Sequence, residues 1–170
     1  MPPIASTDID FHLSGGAGNA DPNAALGGAI STTQITSAAL HNLFDIVSGD
    51  EAAAGDIEYR CLYVKNAHAT LTLQNAKVWV QTETPSGSSD EEIGLGTSAV
   101  NGVEQTVADE STAPSGVTFG QANGEGAALS IGNIPAGQHK AIWVKRTISA
   151  SAPAVDSDAS VLRVKGETAA

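Results

Sequence analysis

The stretch YRCLYVKNAHATLTLQNAKVWVQTETPS, residues 59–86, decides how the chain reads. Tyr59 to Lys65 is a run of strand-forming residues closed by the turn-prone Asn66-Ala67-His68. A short second run covers Thr70 to Leu73, and a third, Lys77 to Thr82, follows Gln74-Asn75-Ala76 and stops before Pro85. In Lys77-Val78-Trp79-Val80-Gln81 a period of two places Val78 and Val80 on one face and Trp79, Lys77 and Gln81 on the other. That pattern predicts half-buried antiparallel strands.

Working outward, Pro85 to Glu92 (PSGSSDEE) reads as an exposed loop, and Glu92 to Leu95 as a strand. Val100 to Gly126 is polar and glycine-spaced, with Val103, Val107, Val117 and Phe119 as its few anchors. Strands are then expected at Ala127 to Ile131, His139 to Ser149 and Ser160 to Lys165, and Ala141-Ile142-Trp143-Val144-Lys145 repeats the alternation seen around Trp79. About seven strands without a long amphipathic helix predict an all-β, Ig-like antiparallel sandwich over residues 55–170, ending in a short tail.

Upstream, residues 1–54 read as an extended N-terminal arm. Asp8 to Leu13 alternates polar and apolar like a strand, but Ser14 to Gly28 (SGGAGNADPNAALGG) offers little side-chain surface to bury. Leu40, Leu43, Phe44 and Val47 return at helical spacing and predict one short helical turn that docks the arm.

The chain of 170 residues carries a net charge of −11 and only eight basic residues, Arg60, Lys65, Lys77, Lys140, Lys145, Arg146, Arg163 and Lys165. That balance argues against nucleic acid or an anionic membrane as partner, because both need clustered cations. Since all eight bases fall in or beside expected strands, they predict a basic stripe on a β framework ringed by acidic loops. Cys61 is the single cysteine, which excludes an internal disulfide and predicts folding in a reducing compartment. The first residues show neither a basic n-region nor an apolar h-region, so no Sec export is expected; no apolar run approaches transmembrane length.

Little in the sequence points to catalysis. His12, His41, His68 and His139 are far apart and lack ligand spacing, so they read as solvated or internally satisfied. Cys61 sits among Leu62, Tyr63 and Val64 as a small apolar filler without a neighbouring base. The acids Asp90, Glu91 and Glu92, like Asp50, Glu51 and Asp56, lack the alternation of a calcium loop and read as solvated acidic loops. Gly15, Gly16 and Gly18 do not form a phosphate-binding pattern, and no GxSxG or paired catalytic carboxylates occur. No enzyme activity, metal or cofactor is therefore expected.

The residues that invite a functional reading are those of an interface. With Val78, Val80, Ile142 and Val144 inward, Trp79 and Trp143 face outward beside Lys77 and Lys145, as interface anchors would. The alternative is that either ring is the sandwich's own core aromatic or lies beneath the arm. Ile9, Phe11 and Leu13 form an apolar strand face with no nearby hairpin partner, so this strand must join a sheet edge, in its own domain or in a neighbour.

Two resemblances organise these expectations. Residues 59–86, together with LSIGNIPAGQHKAIWVKRTIS (129–149), resemble the Ig-like modules of bacterial surface and adhesion proteins, of the CARDB kind. In both, an apolar-Gly-x-Ile-Pro-x-Gly-Gln corner leads into a long strand; here Pro135 fixes φ, Gly137 permits positive φ, and Ile134 plugs the sandwich end. The order of an acidic Gly/Ala/Asn arm, the bridge LFDIVSGDEAAAGDIEYR (43–60) and a sandwich is similar to small structural proteins of tailed bacteriophages, which include capsid decoration or cement proteins. The second resemblance implies a virion protein made in the host bacterial cytoplasm that binds the major capsid protein or other virion proteins. It would clamp neighbouring capsomers, commonly as a trimer. A tail, neck or fibre accessory and a carbohydrate- or surface-binding adhesin module are the alternatives.

Overall fold

The computed structural model describes residues 2–156 and 158–168; the tail expected at 169–170 lies outside them. The described strands are β1 (Ile9–Leu13), β2 (Gly27–Gly28), β3 (Asp56–Asn66), β4 (Leu73–Thr82), β5 (Ser89–Leu95), β6 (Glu104–Thr106), β7 (Leu129–Ile134), β8 (His139–Ile148) and β9 (Val161–Thr168). They form a four-stranded sheet ordered β1-β3-β8-β5, a three-stranded sheet ordered β7-β4-β9 and a small β2-β6 pair. All these ladders are antiparallel, which makes the chain an all-β sandwich as the alternation predicts. Its connectivity has its own character. Counting the seven main strands in order, the second pairs with the sixth, whereas an immunoglobulin domain sets the second beside the fifth.

Pleating assigns the faces. Leu62 and Val64 of β3 and Ile142 and Val144 of β8 meet Val78 and Val80 of β4, Ile131 and Ile134 of β7, and Leu162 and Val164 of β9 in the inter-sheet core. Burying each of the fully covered aliphatic chains contributes about 1.5–3 kcal/mol. The corner after β7 carries the chain from one sheet to the other: Ile134 is buried, Gly137 has φ +73°, and Gln138 N–H donates to Pro135 O at 3.0 Å. The side-chain amide of Asn66 fastens this corner by donating to the carbonyls of Ile134 and Leu71.

Residues 9–35, expected within an extended arm, pack onto the sandwich. β1 pairs with β3 from Ile9↔Asn66 to Leu13↔Leu62, and its other edge is bonded by residues 31–35 of the same chain, with Leu13 N–H donating to Thr33 O and Ile35 N–H to Phe11 O. Residues 14–35 continue across the outer face of the four-stranded sheet and bring Leu26 and Ile30 onto it, while Val107, Val117 and Phe119 arrive from the 96–120 segment. A face that is often solvated in antiparallel sheets thus becomes a second core around Tyr59, Cys61, Tyr63, Ala141 and Trp143. The β2-β6 pair lies over this layer so closely that a Cβ on Gly27 would stand 1.8 Å from the Gln105 carbonyl oxygen.

The helical turn expected within 35–47 does not form; Ala38 and His41 hold positive φ there, which interrupts any helix. The short helix α1 (Gly49–Ala54) follows instead, started by a reciprocal capping box in which Ser48 and Glu51 satisfy each other's backbone N–H groups. The expected strand at Thr70 to Leu73 is absent, and β4 begins at Leu73, passing through an irregularity around Asn75, whose φ is +50°.

Candidate functional site

The residues expected to meet a partner are mostly consumed by the fold. Trp79 is 2% exposed and Trp143 0%. The pleat does turn Trp143 away from the inter-sheet core, but the second layer covers it; Gly94, directly opposite on β5, leaves room for Val117 to close over that position. Trp79 joins the main apolar cluster, the 3-10 turn Glu125–Ala127 packs against its strand, and its indole N–H donates to Gln81 Oε1 at 2.8 Å. Neither ring is available to stack on a sugar or to anchor a partner. Leu13 is buried, and Ile9 and Phe11 are half-buried against the same cluster. Lys145 is half-buried and bonded to Glu92, which raises its ammonium pKa. Of the expected contact residues, Lys77 alone stands exposed.

The eight bases do not form one stripe. Arg60 and Arg146 lie inside, at the end of the sandwich, where Glu58 pairs with both: Arg146 Nε donates to it at 2.6 Å and Arg60 approaches at 3.6 Å. Glu110 and Asp45 complete that network, and the Phe44 ring lies 4.6 Å from the Arg146 guanidinium carbon and 5.5 Å from that of Arg60. Lys140 is turned onto the carbonyls of Gly96 and Ser98, and burial lowers its pKa. These three bases, with Lys145, hold the fold together.

Three others gather on the outward face of the three-stranded sheet. In the β4-β9 ladder Lys77 stands opposite Lys165, and Trp79 opposite Arg163. All three cations are exposed, and Lys165 donates to Glu125 at 2.7 Å across open solvent. Glu125 senses the whole group: the hydrogen bond from Lys165, then the charges of Lys165, Lys77 and Arg163, hold its carboxyl below the usual range. Like charges directly opposed on a ladder cost stability. On a chain with 19 acids, this concentration of positive charge, offset on this face by Glu125 at Lys165, is the feature that folding alone does not require. Arg163 and Lys165 are visible in sequence only as alternating members of Val161-Leu162-Arg163-Val164-Lys165; nothing there says that they face Lys77.

A second group escapes the sequence reading altogether. Pro85 to Glu92 was expected to be solvated loop, yet β5 starts at Ser89 and Glu91 is only 4% exposed. Its phase with Ile93 and Leu95, two and four residues on, was the available signal. Glu91 N–H donates to Glu83 Oε1 at 3.2 Å, and burial first, then Glu83, push the Glu91 carboxyl up to about 8.

A shallow open depression of about 460 Å³ between Gly55, Ile57, Ser111 and Thr147 presents no cluster of reactive groups. Among the described residues no three His, Cys, Asp or Glu side chains are placed to hold a metal, and no helix is long and apolar enough to cross a membrane. Cys61 is fully buried, and burial raises its thiol beyond the ordinary range. Comparison with protein-family models, with curated proteins and with solved structures finds no match to this chain.

Proposed function

We propose that this protein is a non-enzymatic structural component of a tailed-bacteriophage particle, a decoration or cement protein that attaches to the capsid exterior as a finished domain. The observation that carries the attachment is the Lys77, Arg163 and Lys165 face, in which two lysines repel each other across a ladder on an otherwise acidic molecule. An acidic surface of the major capsid protein would relieve that repulsion and be steered to this face over the other. The placement in a virion rests on the likeness of residues 1–60 and the following sandwich to phage structural proteins. Binding to the assembled lattice in preference to free subunits would stabilise the shell by mass action. Three cations in a field of −11 suit a protein surface better than a polyphosphate backbone, which demands many more phosphate contacts.

The test is cosedimentation of the purified protein with expanded and unexpanded capsids, at low and high salt. Salt-sensitive binding that falls at least about tenfold in a Lys77→Glu, Arg163→Glu variant supports the reading. Binding to neither particle, or binding indifferent to both substitutions, overturns it.

A further inference from the structure

We propose that Glu91 keeps its proton at neutral pH, held toward the Glu83 carboxyl, and that its loss opens the β4-β5 turn together with the segment leading into β9. The geometry leaves few other ways to satisfy these groups. Glu83 follows β4 directly; its Oε1 accepts the N–H of Glu91 at 3.2 Å and that of Thr84 at 3.4 Å. Glu91 Oε1 accepts the Ser89 hydroxyl at 3.2 Å. Among the described residues, the remaining oxygen of each carboxyl is sealed from solvent and has no hydrogen-bond donor. The buried Glu91 carboxyl is better satisfied with a proton, because a buried carboxylate beside a second acidic side chain and without a counterion is costly to ionise.

Among the described residues, no nearby cation is free to serve. On β8, Arg146 stands opposite Glu91 but is committed to Glu58 and Asp45. Asp158, from the segment before β9, adds negative charge and pushes Glu91 further up. On the opposite face of β5, Asp90 accepts from Gln121 and Glu92 is held by Lys145. Burial and the Glu83 carboxyl therefore keep Glu91 protonated to about 8, against an ordinary value of 4.5.

The pair is also mechanically connected. Thr84 Oγ1 donates to the carbonyls of Ser86 and Ser89 across the turn, and Ser86 N–H donates to Asp158 Oδ1 at 3.2 Å. Relieving two adjacent charges by opening this turn would free the tether on the run-in to β9, the strand that carries Arg163 and Lys165. The folded protein retains a proton that the unfolded chain releases near 4.5, so stability falls as pH rises from there to about 8 and then levels.

The direct measurement is carboxyl-carbon NMR of the full chain with labelled glutamate, titrated from pH 4 to 10, alongside thermal unfolding of wild type, Glu91→Gln and Glu83→Gln. An inflection near 8 for Glu91 is expected, with a wild-type Tm that drops by at least about 5 °C from pH 5 to pH 8.5 relative to Glu91→Gln. The glutamine amide can donate to Glu83 without titrating, so that variant should lose this part of the slope and show slower amide exchange at residues 83–91 above pH 8. If Glu91 titrates near 4.5 in the folded wild type, or all three proteins share one pH profile, the proposal fails. It also fails if millimolar calcium restores wild-type Tm at pH 8.5 but leaves Glu91→Gln unchanged, since the orphan oxygens would then hold a cation.

Discussion

Lys77 and Lys165 face each other directly across the β4-β9 ladder, and Glu125 binds only the second of them. Folding gains nothing from this opposition. Lys77→Glu should convert repulsion to attraction and stabilise the protein by about 0.5 kcal/mol at low salt, with the gain vanishing near 1 M salt. The denaturant midpoint measured at both salt concentrations checks this. A variant that is more stable yet binds capsids less well would separate the cost of the face from its use.

Trp143 is sealed at 0% exposure, and its indole N–H has no acceptor among the described residues. An unsatisfied buried donor carries a penalty of about 1–3 kcal/mol, which partly cancels the benefit of the large ring. Trp143→Phe is therefore expected to stay within about 1 kcal/mol of wild type, while Trp143→Ala should cost about 3–5 kcal/mol by opening a cavity in the second core. Chemical unfolding of the two variants decides it; equal losses would mean that the indole N–H is not a liability.

The two tryptophans also show how far the sequence carries. Alternation around Val78-Trp79-Val80 and Ile142-Trp143-Val144 correctly separates the faces of β4 and β8, because the pleat is a local property. What covers the outer face is a matter of long-range packing. Leu26 and Ile30 come from a stretch whose glycines and alanines look unable to hold a fold alone, and they do not hold one alone: they lie on Tyr59, Tyr63 and Trp143. The same limit hid the cation face, since Lys77 and Lys165 are 88 residues apart and only the β4-β9 register brings them together. Glu91 is marked only by its phase with Ile93, a signal that its acidic neighbours Asp90 and Glu92 obscure.

Glu58 accepts from Arg146 at 2.6 Å and lies 3.6 Å from Arg60, all three buried between the sheets. Removing one partner strands a buried charge, so Glu58→Gln and Arg146→Met should each cost about 3–5 kcal/mol. Their combination should cost much less than the sum, because the second change removes the charge that the first left unpaired. Additive losses in a double-mutant cycle would show that the two side chains are not energetically coupled.

Glu104 is buried in β6 and sets the acid limit of the second layer. Burial alone would raise its carboxyl, but it accepts the N–H groups of Ser98 at 2.8 Å and Thr97 at 3.1 Å and the Thr97 hydroxyl at 3.0 Å, which together hold it at about 2. Its contribution is present above the ordinary value of 4.5 and is lost as pH falls from there through about 2. Glu104→Gln should be less stable at pH 7 and should have a flatter stability profile between pH 5 and pH 2. Unfolding midpoints that fall in parallel with wild type over that range would remove Glu104 from the acid response.

Tyr63 ties this layer to the sheet below it, and so predicts what happens when residues 1–35 are removed. Its phenol donates to Gly28 O at 2.6 Å and accepts the N–H of Glu104 at 3.0 Å, linking β3 to both strands of the β2-β6 pair. Cys61 N–H donates to Ala25 O, and β1 closes the edge of β3 beyond it. Without residues 1–35 the chain would leave Tyr63, Cys61 and Trp143 facing water, and half of β3 would lose one of its two ladder partners. A dispensable arm would instead leave a folded sandwich behind. Expression of residues 36–170 is therefore expected to give aggregated or unfolded protein, visible as lost near-ultraviolet dichroism and lost cooperative melting. A soluble, cooperatively melting fragment would show that the first thirty-five residues are an attachment and not a layer of the core.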